Sequence, residues 1–300
     1  MTGAPPKPLL ADVRRFPALW AVRVLWVLLP ATVGGLLGEA LADAARPSQI
    51  VVTVGAWAIW AAGLTATMIR RPMSLTALRI VVPAILAVTI IAAAGSNVDG
   101  VSIVHAGILA VSVMLPEVGN SLVDGLSYGD ERRVLLRVPL VLLMGPLPLT
   151  WAATVAAIAA GPLLLAARQW LIGIVAVVAG GFVVRIGVKA LHGLSRRWII
   201  FVPNGFVVHD QLSTREPFLL RRSDIRSIGP AEADTDLKSA DLVDATQNAT
   251  GVVIVAELRE PVEVVPIGRV VEMRHVHQVA FCPTRPGAML QLARSRRIVG

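Results

Sequence analysis

The chain has 300 residues, of which 55% are hydrophobic and only 16% charged, with a mean hydropathy of +0.69; it carries too few charges to cover a water-exposed globule of its size. A bilayer resolves that mismatch, because lipid-facing positions must be apolar, so an ordinary soluble protein is excluded. The net charge of +8 invites a nucleic-acid reading, but residues 1–197 hold sixteen Lys plus Arg against eight Asp plus Glu, while residues 198–300 hold twelve of each. A nucleic-acid-binding domain carries a basic patch or stripe, and the neutral C-terminal third gives no sign of one, so no nucleic-acid partner is expected.

Residues 1–23 read as a polar cytoplasmic tail. A spanning helix needs about 20 mainly apolar residues, and six runs qualify: 24–42, 49–69, 74–94, 101–123, 138–158 and 169–191. Pro116 and Glu117 interrupt the fourth. The expected transmembrane domain is therefore an α-helical bundle of about six helices over residues 24–197. A cleaved signal peptide fits poorly, because the leading polar segment is long and Pro30 breaks the apolar stretch, although Ala40-Leu41-Ala42 resembles a cleavage site.

The basic residues fix the expected orientation. Lys7, Arg14, Arg15 and Arg23 precede the first span; Arg70, Arg71 and Arg79 mark the turn between the second and third. Arg132, Arg133 and Arg137 follow the fourth, and Arg185, Lys189, Arg196 and Arg197 end the sixth. The alternate loops hold only Arg46 and Arg168, which places both termini in the cytoplasm of a multi-pass protein of the bacterial inner membrane, with membrane lipids as its first partners.

Ionisable groups inside a bilayer are costly, so each is a candidate for function. Glu117, Asn120 and Asp124 are spaced by three and four residues, on one helical face. Just beyond them run Tyr128, Asp130, Glu131, Arg132 and Arg133. Arginine forks bind phosphate bidentately and carboxylates ligate metals or act as bases, so this strip is the candidate polar site. Its bland alternative is an interfacial loop whose acids pair with its own arginines. The spacing matches no metal, cofactor or phosphotransfer signature. His105 and Glu39 lie near the outer ends of their spans, where hydrogen bonding and snorkelling account for them. Gly34 and Gly38 form a small-xxx-small pair that permits close helix contact.

After Arg197 the pattern changes to short strands. Residues 198–202 and 206–209 flank Pro203-Asn204-Gly205, a hairpin signal. Residues 218–221 read as a third strand and 223–228 as a turn or strand. A second hairpin is expected from 252–258 and 262–266 around Glu260-Pro261, then a last strand at 279–282 and a closing helix at 287–296. The polar stretch 231–250 reads as a mobile loop. His275 and His277 share one strand face, with no third metal ligand evident. The single cysteine, Cys282, excludes an internal disulfide and reads as a small core residue.

This order of short strands and one helix, over about residues 198–297 of the expected β domain at 198–300, resembles the bacterial pleckstrin-homology-like domain. The full layout, with Phe201-Val202-Pro203-Asn204-Gly205-Phe206 and Phe281-Cys282-Pro283-Thr284-Arg285-Pro286-Gly287, is similar to uncharacterised actinobacterial membrane proteins. Scarce lysine beside abundant Ala, Val and Gly agrees with a GC-rich bacterial genome. The resemblance implies a cytoplasmic β-sandwich with a C-terminal helix that binds or scaffolds, and it transfers no catalytic residue. The expected function is thus a non-enzymatic envelope protein holding a partner protein through its β domain, with no cofactor. The alternatives are a solute or lipid transporter using the Glu117, Asn120 and Asp124 face, and a membrane enzyme acting on a phosphorylated lipid.

The orientation is directly testable. Reporters fused after Gly300 or within the Arg70-Arg71 turn should read cytoplasmic, and one at Asn97 external. An external C-terminus would reject the six-span arrangement.

Overall fold

A computed structural model describes residues 8–95, 100–233, 235–267 and 272–298, so Lys7, Asn97 and residues 96–99 lie outside the described residues. In chain order come helices α1 (Pro8–Arg15), α2 (Pro17–Ala40), α3 (Arg46–Met68), α4 (Pro72–Ala94), α5 (Val101–Met114) and α6 (Pro116–Asp124). Strand β1 (Arg132–Leu135), the short helix α7 (Leu140–Met144) and the long helices α8 (Pro146–Ala166) and α9 (Trp170–Leu194) follow. Strands β2 (Trp198–Val202), β3 (Gly205–His209), β4 (Phe218–Arg221), β5 (Ile225–Pro230), β6 (Leu242–Asp244), β7 (Ile254–Val264) and β8 (Arg274–Phe281) precede the closing helix α10 (Pro286–Ser295). The chain divides into two compact units: Met1–Gly125 with Thr150–Lys189, and Leu126–Leu149 with Ala190–Gly300.

In the helical unit, proline opens α2, α4 and α6 at the first position, where its missing N–H costs nothing and its fixed φ suits the helix. Five helices are long and apolar enough to cross a membrane, and α5 with α6, bent by 56°, makes a sixth if counted as one broken span. Pro116 sets that break, since its ring cannot continue the helix from Leu115. Glycine permits the closest helix approaches, but not at the pair expected. A Cβ on Gly34 or Gly38 would meet nothing within 4 Å, whereas one on Gly63 would strike the Trp26 ring. Trp26 and Trp60 each donate their indole N–H to the other's carbonyl, at 2.9 and 3.1 Å, tying α2 to α3. In α9, Gly173, Gly180 and Gly187 recur every seventh residue and press against Leu165, Ala157 and Thr154 of α8. Without a hydrophobic drive between helices in lipid, such backbone proximity supplies the packing.

Two expectations in this unit need correction. Arg79 belongs to α4 rather than to the preceding turn, because Pro72 starts the helix seven residues earlier. The span expected from residue 138 is α8 from Pro146, because the non-helical backbone of Gly145 separates it from the short α7; before α7, residues 132–137 join a sheet, where Leu136 N–H donates to Arg197 O at 3.0 Å and Arg137 N–H to Cys282 O at 2.8 Å.

The second unit packs two four-stranded sheets, in the orders β1-β2-β3-β4 and β5-β7-β8-β6, against α10. β1, absent from the sequence reading, pairs antiparallel with β2 from Arg132↔Phe201 to Leu135↔Trp198. Alternation turns Ile199, Phe201, Phe206, Val208, Phe218 and Leu220 inward to meet Ile254, Ala256, Val276, Val279 and Phe281. Each fully buried phenylalanine contributes about 1.5–3 kcal/mol. The β2–β3 turn needs its glycine: Gly205 has φ +148°, and a Cβ there would collide with Leu220 O.

The expected second hairpin is instead one strand, β7, whose register on β8 shifts between Glu257 and Val262. Pro261 cannot donate to a ladder, and this irregularity accommodates it without reversing the chain. The expected loop 231–250 contains β6, which pairs parallel with β8. Beyond β6, Asp244 Oδ1 accepts the Thr246 N–H and hydroxyl at 2.8 and 2.6 Å, closing a tight turn.

Arg197 joins these parts. With side-chain exposure of 1%, it donates Nε and Nη2 to the two carboxylate oxygens of Asp210, at 2.7 and 2.8 Å. Its remaining bonds go to Arg137 O at 2.7 Å and Ala245 O at 3.1 Å. Removing one partner of such a pair strands the other charge, which costs about 3–5 kcal/mol. Asp210→Ala should therefore strip hydrogen-exchange protection from β2 and β8 in the detergent-solubilised chain; unchanged protection would reject the clamp.

Candidate functional site

The structure divides the polar strip expected from sequence. Glu117, Asn120 and Asp124 do share one face of α6, opposite the buried Val118 and Leu122, with Glu117 exposed and the other two half-buried. Asn120 donates back to Pro116 O at 2.8 Å, and Ser121 to Glu117 O at 2.7 Å, so part of this polarity is spent inside the helix. The helix ends where Gly125 passes the Arg70 backbone with no room for a Cβ.

Tyr128, Asp130, Glu131, Arg132 and Arg133 belong to the β unit. Tyr128 is 88% exposed, and Glu131 N–H donates to its carbonyl at 3.0 Å to form a turn. Arg132 Nη1 donates to Glu131 O at 2.6 Å, and the Arg133 guanidinium lies 3.9 Å from the Glu131 carboxylate and over the Trp198 ring. Arg296 donates to Asp130 O. These arginines make contacts within the turn and at the β1 end of the sheet.

Elsewhere, His105 is buried between α2 and α5, with Nδ1 2.5 Å from Thr32 Oγ1 and Nε2 3.0 Å from Leu25 O. Arg23, expected in a tail, is buried in α2, donates to Thr67 O at 3.1 Å and lies 3.3 Å from Asp12. Arg79 carries a buried Nε with no hydrogen-bond partner among the described residues. Glu39 is exposed. His275 and His277 face separate acids, Glu263 at 3.3 Å and Asp241 at 2.8 Å; the hydrogen bond from His277 holds the Asp241 carboxyl below its usual range. No group of three metal-ligating side chains occurs among the described residues. Cys282 is buried, its thiol 3.5 Å from Val252 O; desolvation pushes its pKa up against the opposing pull of Arg137 and Arg197.

A concave site does form in the β unit, from residues the sequence reading did not single out. A cavity of about 610 Å³ is lined by Asn204, Arg222, Ser223, Ile225, Arg226, Arg259, Arg297 and Ile298. The β2–β3 turn, the β4–β5 turn, the irregular part of β7 and the end of α10 each supply part of it. Backbone bonds lock its rim: Arg222 N–H to Asn204 O at 2.8 Å and Arg259 N–H to Asp224 O at 2.7 Å. Arg297 sits at φ +53°, unusual for a side chain with a Cβ, and is followed by Ile298, buried to 3%. Its arginines come from positions up to 75 residues apart, and only the fold collects them. Comparisons with protein-family profiles, with curated proteins and with solved structures found no match.

The α6 face can be tested by a change that keeps shape and removes charge. Glu117→Gln should leave expression and complementation of a deletion strain unaltered, with a stability change below about 0.5 kcal/mol. Lost complementation at normal expression would make the carboxylate a working group.

Proposed function

We propose that this chain is a non-enzymatic protein of the bacterial cytoplasmic membrane that holds a partner protein through its cytoplasmic β unit. What supports the reading is the way the β unit is tethered. The chain leaves it after β1, forms the membrane-length helices α8 and α9, and returns in β2, the antiparallel neighbour of β1. An excursion whose ends meet in adjacent strands starts and finishes on one side of a membrane, and two spans are the shortest that does so. With α6 leading into β1, three covalent connections hold the unit, which suits a module that presents a surface from a fixed anchor. The arginines at 14, 15, 70 and 71 favour the cytoplasmic side for it.

Recruitment by such a unit needs no signature residue. Its first sheet ends at β4, where Leu219 is 41% exposed, and an extended segment of a partner can add to an edge of this kind through backbone bonds. The succession of an antiparallel β1–β4 sheet, the β5-β7-β8 run and a closing helix favours the pleckstrin-homology-like resemblance, and the actinobacterial one belongs to the same reading.

In-cell crosslinking followed by affinity purification of the intact chain should capture one defined protein in stoichiometric amount. Leu219→Pro, which blocks the β4 edge, should reduce that capture several-fold while α8 and α9 still insert. Purification without any stoichiometric partner would reject the recruiting role.

A further inference from the structure

Four arginines, Arg222, Arg226, Arg259 and Arg297, line the cavity of about 610 Å³ in the β unit. Among the described residues none of the four has a carboxylate within 4.0 Å. Two carboxylates close in sequence hydrogen-bond to serines: Asp224 accepts the Ser223 hydroxyl at 2.6 Å, and Glu257 accepts that of Ser227 at 2.8 Å. Four like charges around one concavity repel one another, and the hydrogen-bonded backbone of the rim fixes where their exposed side chains emerge. Such an arrangement is favourable when an anion fills it.

We propose that this cavity is a binding site for a multiply charged, phosphate-bearing group. A carboxylate offers two oxygens and satisfies one arginine fork; a phosphate or diphosphate offers the several acceptor oxygens that converging forks require. Asn204 and Ser223 add uncharged polar groups at the rim, and Ile225 and Ile298, both buried, give the floor a small apolar surface. The volume falls within the range of small-molecule sites.

The site goes beyond partner recruitment and stands apart from it. The test uses the full chain in phosphatidylcholine nanodiscs, titrated with inorganic pyrophosphate and followed by thermal unfolding and calorimetry. Saturable binding is expected, weakening with added salt. The double variant Arg226→Gln/Arg259→Gln should lose at least about tenfold in affinity, while the charge-matched control Arg274→Gln should stay within about twofold. All three positions are exposed, so the variants should fold. Equal weakening in the control, or no saturable binding by the unaltered chain, would overturn the proposal. Repeating the titration in nanodiscs with added phosphatidic acid separates the sources. Unchanged pyrophosphate affinity assigns the site to a soluble ligand; arginine-dependent suppression by the lipid assigns it to a headgroup. Failure to capture a partner protein, with pyrophosphate binding intact, would sink the recruiting function and leave this site standing.

Discussion

The β unit depends on one buried ion pair. Asp210 neutralises Arg197, and the same guanidinium binds the carbonyls of Arg137 and Ala245, so four chain segments converge on it. Two of these matter for architecture: Arg137 is where the chain departs toward α8, and Arg197 is where it returns from α9. A long excursion inserted between neighbouring strands invites fraying, because its ends are free to move apart. Bidentate pairing in a dry interior fixes both ends at once, with a geometry no apolar contact specifies. The sheet closes around the same point, where Leu136 bridges to Pro283 and Thr284 N–H donates to Leu135 O at 2.8 Å.

The two units follow different rules because their solvents differ. In the β unit, water drives Phe201, Phe206 and Phe281 into a common interior. The helices turn many large apolar residues outward, as with Ile91 at 74% and Leu171 at 79% exposure, while Leu19, Trp26, Leu75, Leu78, Leu109 and Leu122 pack inside alongside the glycine contacts and hydrogen bonds. Trp26 and Trp60, and His105 with Thr32, give buried polar groups the partners that a bilayer cannot supply. Arg23 is tolerated inside α2 on the same terms, since a backbone carbonyl, Asp12 and the Trp20 ring surround it.

Charge shows why counting along a sequence differs from mapping in space. Residues 198–300 are neutral in sum, and that neutrality spoke against any basic surface. Folding distributes those charges unevenly: Asp210 is buried with Arg197, Asp241 and Glu263 meet histidines, and Arg222, Arg226, Arg259 and Arg297 come together around one cavity. A balanced composition therefore coexists with a concentrated positive site.

The membrane helices were legible in the sequence because a bilayer imposes length and apolarity on every residue of a span, and the Pro116 break because proline acts locally. Strands 198–202 and 218–221, and the Asn204-Gly205 turn, were legible for the same reason: alternation and turn chemistry are properties of neighbours in the chain. Other features depend on distant partners. β1 is a strand only because Trp198–Val202 lies beside it, and Glu260-Pro261 stays extended only because β5 and β8 hold the rest of β7. Likewise Gly173, Gly180 and Gly187, rather than Gly34 and Gly38, became the close contacts because α8 was there to meet them. The sequence by itself determined which segments leave water and which way short stretches turn, since those energies are local; the tertiary structure alone decided which distant residues meet, and with them the Arg197 clamp and the arginine cavity.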